Sequence, residues 1–296
     1  MHYQDLQTEQ LNPNTQGIDS CTTEEMLFMI NREDASVAEA VRKAIPEIAL
    51  AVDAAHKALK QGGHLFYFGA GTSGRLGVLD ASECVPTYGV KPDLVQGYIA
   101  GGDKALRVPV EGCEDSADAG EQIIIDCNVG KNDIVVGISA SGTATYVRAA
   151  LLKAKERGAV TVAVVNNRCT PLGDVADICI EAVTGPEVIS GSTRMKAGTA
   201  QKLILNMIST GTMIKLGRVY KNWMVDLQAT NIKLEARAKR IFCEVTGKNE
   251  AEATEYLKAS GMDTKLAIFM SLSGLDKEEA KKRLEASGGF LKEALK

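Results

Sequence analysis

The central part of the chain alternates between short apolar runs and amphipathic stretches with helical spacing. The apolar runs have the length of strands and end in glycine-rich or polar turns. We predict five strands, at residues 64–68, 94–100, 133–138, 160–165 and 178–183. Because helical patterns lie between most of them, the sequence predicts an α/β fold in which a five-stranded parallel sheet is flanked by helices.

Helical patterns also lie on both sides of this central region. A helix is predicted from Thr23 to Asn31, and a longer one over about residues 35–61, which Pro46 should kink or divide. Residues 1–22 are polar and are expected to form an extended arm. From about Val219 onwards, glycines separate short amphipathic segments, which indicates a small helical bundle. The expected divisions are an N-terminal arm with helices (1–62), a sheet domain (63–218) and a C-terminal helical subdomain (219–296).

Composition and charge narrow the class of protein. The 296 residues are 45% hydrophobic and carry a net charge of −4, which suits a protein with a full core. Basic blocks with interleaved aromatic residues are missing, so nucleic acid is not an expected partner. No apolar run approaches the roughly 18 residues of a membrane span, and the N-terminus is too polar for a signal peptide. The seven scattered cysteines lack a C-x-x-C pair, which favours reduced thiols, no bound metal and a cytoplasmic location.

A glycine-rich turn follows the first predicted strand. Gly69-Ala-Gly-Thr-Ser-Gly74 leads into a helical pattern, and such a junction presents unpaired backbone N–H groups to an anion. The hydroxyls of Thr72 and Ser73 add neutral donors. The same spacing matches a dinucleotide fingerprint, but Asp103 is a poor match for the acidic residue that this fingerprint requires after the next strand. The turn therefore indicates a phosphate site, with a nucleotide as the alternative.

A second hydroxyl-rich turn favours the phosphate over the nucleotide. The third predicted strand is followed by Ser139-Ala-Ser-Gly-Thr143 and then by a helix. Two such turns in one parallel sheet suggest a single phosphate held from two sides, with Ser139, Ser141 and Thr143 on the second side. A dinucleotide site has no need of the second turn.

Longer motifs give the chain a family resemblance. The two turns resemble those of the SIS (sugar isomerase) domain, which binds phosphosugars. Stretches that cover nearly the whole chain resemble the N-acetylmuramic acid 6-phosphate etherase family: Thr8–Pro13, Ile30–Asp34, Ser73–Tyr88, Val110–Asp115 and Gly185–Lys202. This resemblance implies an SIS-type sheet and an enzyme that works without a cofactor or metal. Its expected products are N-acetylglucosamine 6-phosphate and D-lactate.

The implied reaction is an elimination of lactate followed by addition of water. In the open-chain sugar, carbon 2 lies next to an aldehyde, so loss of its proton gives an enolate that can expel the oxygen at carbon 3. The family pattern places the two catalytic acids on Glu83 and Glu114. The resemblance implies that Glu83 protonates the departing lactate and Glu114 removes the proton from carbon 2, although one carboxyl could serve both half-reactions.

A third loop, residues 184–192, follows the last predicted strand and lies at the same edge of the sheet. Glu187 and Ser190, both in this loop, are expected to face the sugar. Either Lys196 or Arg194, in the helix that follows, is expected to meet the lactyl carboxylate.

The spacing of the candidate residues suggests a homodimer with a shared active site. Glu83 lies ten residues after Ser73, which is about 15 Å along a continuous helix, farther than a hexose phosphate spans from its phosphate to carbon 3. We therefore expect the neighbouring subunit to supply Glu83 or Glu114. Two alternatives stay open: an SIS-type aldose–ketose isomerase with Glu187 as its base, and a non-enzymatic phosphosugar sensor. The presence of both acids favours the etherase.

Overall fold

The structure, a computed structural model, describes residues 6–227 and 232–296. All five predicted strands are present: Leu65–Gly69 (β1), Val95–Ile99 (β2), Ile134–Ser139 (β3), Val160–Val165 (β4) and Ile178–Glu181 (β5). They form one sheet with the order β2-β1-β3-β4-β5, and every neighbouring pair is parallel. The order reverses at β1 and β3, which is where doubly wound sheets bind their ligands.

Helices make up most of the rest of the described chain. Those of the N-terminal two thirds are Thr23–Asp34 (α1), Val37–Lys43 (α2), Ile45–Lys60 (α3), Gly71–Tyr88 (α4), Ala117–Asp126 (α5), Thr145–Glu156 (α6) and Lys196–Lys215 (α7). Those that follow are Ile232–Thr246 (α8), Glu250–Ser260 (α9), Thr264–Ser273 (α10), Lys277–Ala286 (α11) and Leu291–Ala294 (α12). Within the two described stretches, no helix is both long and apolar enough to cross a membrane.

The long helix that the sequence predicts on the N-terminal side of the sheet is divided in two, and Pro46 determines where the division falls. The structure has two helices there, α2 and α3, and Pro46 lies in the first turn of α3. Proline is tolerated at that position because the N–H group that it lacks has no partner within the helix. The predicted division at Pro46 is confirmed.

Helices cover both faces of the sheet. On one face, Phe66 and Phe68 of β1 pack in a core cluster with Ile124 of α5 and Leu151 of α6. On the opposite face, the hydroxyl of Tyr67 donates a hydrogen bond to a carboxylate oxygen of α4 (Asp80) at 3.0 Å. Side chains that alternate along a strand point to opposite faces, so the two sets of contacts establish the layered α/β fold that the sequence predicts.

The chain divides into two compact units. The first consists of Met1–Ser82 and Asp93–Ser209, and the second of Glu83–Pro92 and Thr210–Lys296. These boundaries differ from the predicted divisions 1–62, 63–218 and 219–296. The difference arises because α4 and α7 each contribute residues to both units. The predicted divisions are continuous stretches of the chain, whereas each observed unit consists of two separate stretches.

The second unit has a helical core of its own. Phe242 and Phe269 are fully buried in a cluster contributed by helices α8 to α12. Helix α9 begins at a capping box formed by Asn249 and Glu252, and it ends at Gly261, which has a φ of +81°. Such start and stop signals produce the glycine-separated pattern of the sequence, and the predicted C-terminal helices are confirmed.

Candidate active site

The turn after β1 brings the start of α4 close against the end of the strand. A Cβ atom on Gly69 would lie 2.6 Å from the backbone N of Gly74, and one on Gly74 would lie 2.6 Å from the carbonyl oxygen of Gly69. Gly71, between them, has a φ of +52°, which side chains disfavour. The close packing of the α4 backbone against the end of β1 therefore explains why glycines occur at this spacing, and a bound nucleotide is not needed to explain it.

Thr72 and Ser73 lie in the first turn of α4, where backbone N–H groups have no partner within the helix. Ser73 is buried, and its hydroxyl donates a hydrogen bond to Oε1 of Gln201 at 2.9 Å. Gln201 in turn donates to Asn166 at 3.0 Å. These bonds hold the side chain of Ser73 in place beside the helix N-terminus.

The turn after β3 gathers three hydroxyl groups before α6. Ser139 Oγ accepts a hydrogen bond from the N–H of Gly142 at 3.1 Å, and Ser141 Oγ lies 2.8 Å from the hydroxyl oxygen of Thr143. The residue before α6, Ala144, has no side chain that could cap the helix. The side chain of Ala144 therefore leaves the first N–H groups of α6 uncapped, and uncapped N–H groups at a helix start can bind an anion.

A cavity of about 410 Å³ lies where these two turns meet, a volume typical of small-molecule sites. Its hydroxyl-bearing lining residues are Thr72, Ser73, Ser139, Ser141, Thr143 and Thr193, and its carboxylates are Glu9, Glu114 and Asp115. No lysine or arginine is among the described residues that line it. An anion bound here would be held by hydroxyl groups, backbone N–H groups and the N-termini of two helices.

The two predicted catalytic acids differ in their surroundings. Glu114 is exposed on a short 3-10 turn, Cys113–Asp115, and it lines the cavity. The turn starts after Gly112, which has a φ of +72°. Glu83 belongs to the second unit and is exposed on α4, whereas the cavity-lining residues all belong to the first unit.

Glu187 caps a helix instead of lining the cavity. Its carboxylate is fully buried and accepts hydrogen bonds from the backbone N–H groups of Lys196 (2.8 Å) and Ala197 (2.9 Å) at the start of α7. Burial raises the pKa of Glu187, although these donors and the charge of Lys196 oppose the rise. The expectation that Glu187 faces the sugar therefore differs from the observed contacts, which are those of an N-terminal cap.

Lys196 also has its partner within the protein. Its Nζ lies 2.7 Å from Oε2 of Glu33, and both side chains are largely buried. Burial alone would raise the pKa of Glu33, but hydrogen bonds from Lys196, Asn12 and Asn14 and the charge of Lys196 lower it. The predicted contact of Lys196 with a lactyl carboxylate would compete with this ion pair. The pair connects α1 to the start of α7.

The third loop and the residues after it line the cavity through Gly191 and Thr193, which the sequence did not single out, rather than through Ser190, which it did. Ser190 is exposed, and its hydroxyl donates a hydrogen bond to the carbonyl oxygen of Glu9 at 3.2 Å. The following residues Gly191 and Thr193 line the cavity, and so does Glu9 itself. Glu9 lies in the motif Thr8–Pro13, which contributed only to the family resemblance in the sequence and carried no assigned role.

The fold is that of an SIS domain. Residues 114–210 match the SIS domain, and residues 47–155 match the glucokinase regulatory protein N-terminal SIS domain. The fold is similar to that of a phosphoheptose isomerase from Francisella tularensis, with a TM-score of 0.50 and 19% identity over 66% of this chain and 100% of that chain.

The chain belongs to the N-acetylmuramic acid 6-phosphate etherase family. It is 51% identical over 296 residues to the relative of that name from Caldanaerobacter subterraneus subsp. tengcongensis, across 100% of this chain and 97% of the relative. It is 52% identical to the relative of the same name from Enterobacter sp. (strain 638), across 100% of this chain and 99% of the relative. These comparisons confirm the resemblance found in the sequence motifs.

Proposed function

We propose that this protein cleaves the D-lactyl ether of N-acetylmuramic acid 6-phosphate to give N-acetylglucosamine 6-phosphate and D-lactate, a step of cell-wall amino sugar breakdown. The observation that carries the proposal is the cavity at the β1–β3 reversal, which combines two neutral-donor turns with the carboxylate of Glu114. The full-length relatives named N-acetylmuramic acid 6-phosphate etherase support the choice of substrate.

The phosphate would bind between the two turns. Thr72 and Ser73 belong to one turn and Ser139, Ser141 and Thr143 to the other, and both turns lead into helix N-termini. The positive ends of the helix dipoles and the neutral donors suit a phosphate dianion. A substrate without the phosphate would lose these contacts and should be rejected.

Two carboxylates would carry out the chemistry. Glu114 would remove the proton from carbon 2 of the open-chain sugar, and the resulting enolate would expel the oxygen at carbon 3. Glu83 would protonate that oxygen as lactate leaves, and water would then add to the unsaturated aldehyde at carbon 3. Elimination from an activated carbon needs proton transfer and no redox step, so the proposed reaction requires no cofactor.

The position of Glu187 bears on the isomerase alternative. An SIS-type isomerase of this sequence would use Glu187 as its base, but its carboxylate accepts two backbone hydrogen bonds and is fully buried. A base must reach the proton that it removes. A non-enzymatic sensor would need the phosphate turns but not the exposed carboxylate of Glu114 in the cavity. Both observations favour the etherase.

The proposal is tested by measuring D-lactate release from N-acetylmuramic acid 6-phosphate by the purified protein in the presence of a chelator. We expect equal amounts of D-lactate and N-acetylglucosamine 6-phosphate, and oxygen-18 at carbon 3 when the solvent is labelled water. The matched control is N-acetylmuramic acid without the phosphate, which should not be cleaved. Tight sugar phosphate binding without lactate would favour the sensor, and deuterium uptake at carbon 2 without lactate would favour the isomerase.

We also propose that the protein acts as a homodimer with a shared active site. Helix α1 has no buried residue, and Leu27 and Phe28 on it are 58% and 59% exposed. A helix that has no fully buried residue and exposes two neighbouring large apolar side chains fits a subunit contact. A second copy of the chain is the partner that twofold symmetry provides most simply.

The shared site predicts complementation between two inactive variants. Mixing Glu83→Ala and Glu114→Ala subunits should restore about a quarter of wild-type lactate release, because half of randomly assembled twofold dimers are mixed and each holds one intact site. Introducing Phe28→Glu into both variants should abolish the restoration by charging the exposed face of α1. If mass spectrometry finds mixed dimers that are inactive, both acids come from the same subunit.

We further propose a cytoplasmic location. None of the seven cysteines, all of which lie within the described residues, forms a disulfide, and they range from the buried Cys84 to the exposed Cys169. Cysteines without disulfides in this number are usual in a reducing compartment.

A further inference from the structure

The N-terminal segment forms one wall of the cavity through Glu9. Its position is fixed by buried contacts with Asn167, which follows β4. The backbone N–H of Gln7 donates to Oδ1 of Asn167 at 2.7 Å, and Nδ2 of Asn167 donates to the hydroxyl of Thr8 at 3.1 Å. Thr8 and Asn167 are both essentially inaccessible to solvent. Glu9 is therefore held at the cavity by a built structure rather than by a loose terminal arm.

Asn167 connects this wall to the second phosphate turn. Its Nδ2 also donates to the carbonyl oxygen of Ala140 at 3.0 Å. Ala140 lies between Ser139 and Ser141 and lines the same cavity. One buried amide thus sets the spacing between the segment that carries Glu9 and the turn that would hold the phosphate.

The carboxylate of Glu9 is half-buried and directed at another cavity-lining residue. Its Oε2 lies 3.2 Å from the position that a Cβ atom on Gly191 would take. Within residues 6–227 and 232–296, no hydrogen bond or ion pair engages this carboxylate. A charged acceptor in a small-molecule cavity is a candidate for ligand contact, because its hydrogen-bonding capacity is not used by the protein.

The charge of Glu9 restricts which part of a phosphosugar it can meet. A carboxylate repels the phosphate and equally repels the lactyl carboxylate. It accepts hydrogen bonds strongly from hydroxyl and amide N–H groups, which the sugar carries along its carbon chain. The donors of the two turns and the acceptor of Glu9 therefore suit opposite parts of the same ligand.

We propose that Glu9 is a sugar-binding residue, whose carboxylate accepts hydrogen bonds from hydroxyl or amide groups of the substrate while the two turns hold its phosphate. The inference rests on the proposed function in that the ligand is a phosphosugar. It goes beyond that function because it assigns a role to a residue that takes no part in the proton transfers of Glu83 and Glu114. By rejecting anionic groups, Glu9 also determines which way round the substrate enters.

Calorimetric titration with two probes separates this role from a structural one. N-acetylglucosamine 6-phosphate reports on the whole ligand, and inorganic phosphate reports on the two turns alone. Glu9→Ala should weaken N-acetylglucosamine 6-phosphate about 10- to 100-fold, as expected for a hydrogen bond to a charged group, and Glu9→Gln should have a smaller effect of the same sign. Inorganic phosphate should bind both variants as it binds the wild type, or more tightly, because a nearby negative charge is gone.

Glu24→Gln is the matched control, since Glu24 is an exposed acid in the first turn of α1 and both affinities should be unchanged. Wild-type affinity of the Glu9→Ala variant for the sugar phosphate would overturn the inference. Equal weakening of both probes would also overturn it, because that result indicates a loosened N-terminal segment. The proposed function fails separately, if the wild-type protein itself binds no sugar phosphate.

Discussion

Glu114→Gln is expected to lower kcat for lactate release by about 10³-fold, within the range that a general acid or base contributes. Glutamine keeps the size of the side chain on the exposed turn at the cavity but cannot take up a proton at neutral pH. KM should change little, because the phosphate contacts come from the two turns. The matched control is Glu111→Gln, since Glu111 is an exposed acid three residues earlier that is not a cavity-lining residue.

Solvent deuterium separates the roles of the two acids in the same experiment. With Glu114→Gln, the proton at carbon 2 should stay in place, so recovered substrate should contain no deuterium. With Glu83→Gln, the base is intact and the departing lactate lacks its acid, so recovered substrate should gain deuterium at carbon 2. The opposite pattern would exchange the two assignments, and normal lactate release by Glu114→Gln would remove Glu114 from the mechanism.

Gly74→Ala is expected to reduce both the stability of the fold and the affinity for phosphate. The added Cβ would lie 2.6 Å from the carbonyl oxygen of Gly69 and 2.6 Å from Cγ1 of Ile99, so α4 must move away from the sheet. Overpacking of this kind costs about 1–3 kcal/mol of the free energy of unfolding. The same movement displaces the N–H groups of Thr72 and Ser73, and phosphate affinity should fall about tenfold or more, as for loss of a hydrogen bond to a charged group.

The measurements are urea denaturation and calorimetric titration with inorganic phosphate. Gly130→Ala is the control, because a Cβ on Gly130 has no neighbour within 4 Å and its φ is not positive. That substitution should leave phosphate affinity unchanged. If Gly74→Ala unfolds at the same urea concentration as the control, the close approach of α4 to β1 does not constrain the fold as described.

The fold could be predicted because its signals are local. Each strand is a short apolar run. Pro46 divides a helix because its ring removes a backbone N–H donor and clashes with the preceding helical turn, and both effects can be read from the residue type alone. The glycine-rich turn was also predictable, although its pattern alone is ambiguous. Gly69 and Gly74 allow the start of a helix to pack against the end of a strand. Dinucleotide-binding proteins need glycines for the same reason, so the glycine pattern alone does not distinguish the two kinds of site. The second turn, at Ser139, was needed to favour a phosphate.

The partners of charged residues could not be predicted from the sequence. Glu187 and Lys196 were assigned to the ligand because they follow a strand at the expected edge of the sheet. In the structure, the carboxylate of Glu187 meets backbone N–H groups nine and ten residues away, and Lys196 meets Glu33, 163 residues away. Burial makes an unpaired charge costly, so the fold supplies partners that sequence position does not reveal.

Glu9 is the converse case, because the sequence assigned it no role and the structure places it in the wall of the cavity. Residues 1–22 were expected to form an extended arm, because they are polar and contain turn residues. Their place in the cavity wall depends on Asn167, which lies more than 150 residues away along the chain. The motif Thr8–Pro13 was visible in the sequence, but no local pattern connects it to the phosphate turns.

The contacts that anchor the segment around Glu9 also affect how readily the cavity forms when the protein folds. The partners of Thr8 and Glu9 are Asn167 and Ser190, which lie 159 and 181 positions later. Contacts between residues so distant in sequence require large loops to close, and the entropy cost of closing them slows folding. The helices and their caps depend on local contacts, whereas the wall that carries Glu9 requires the distant parts of the chain to come together.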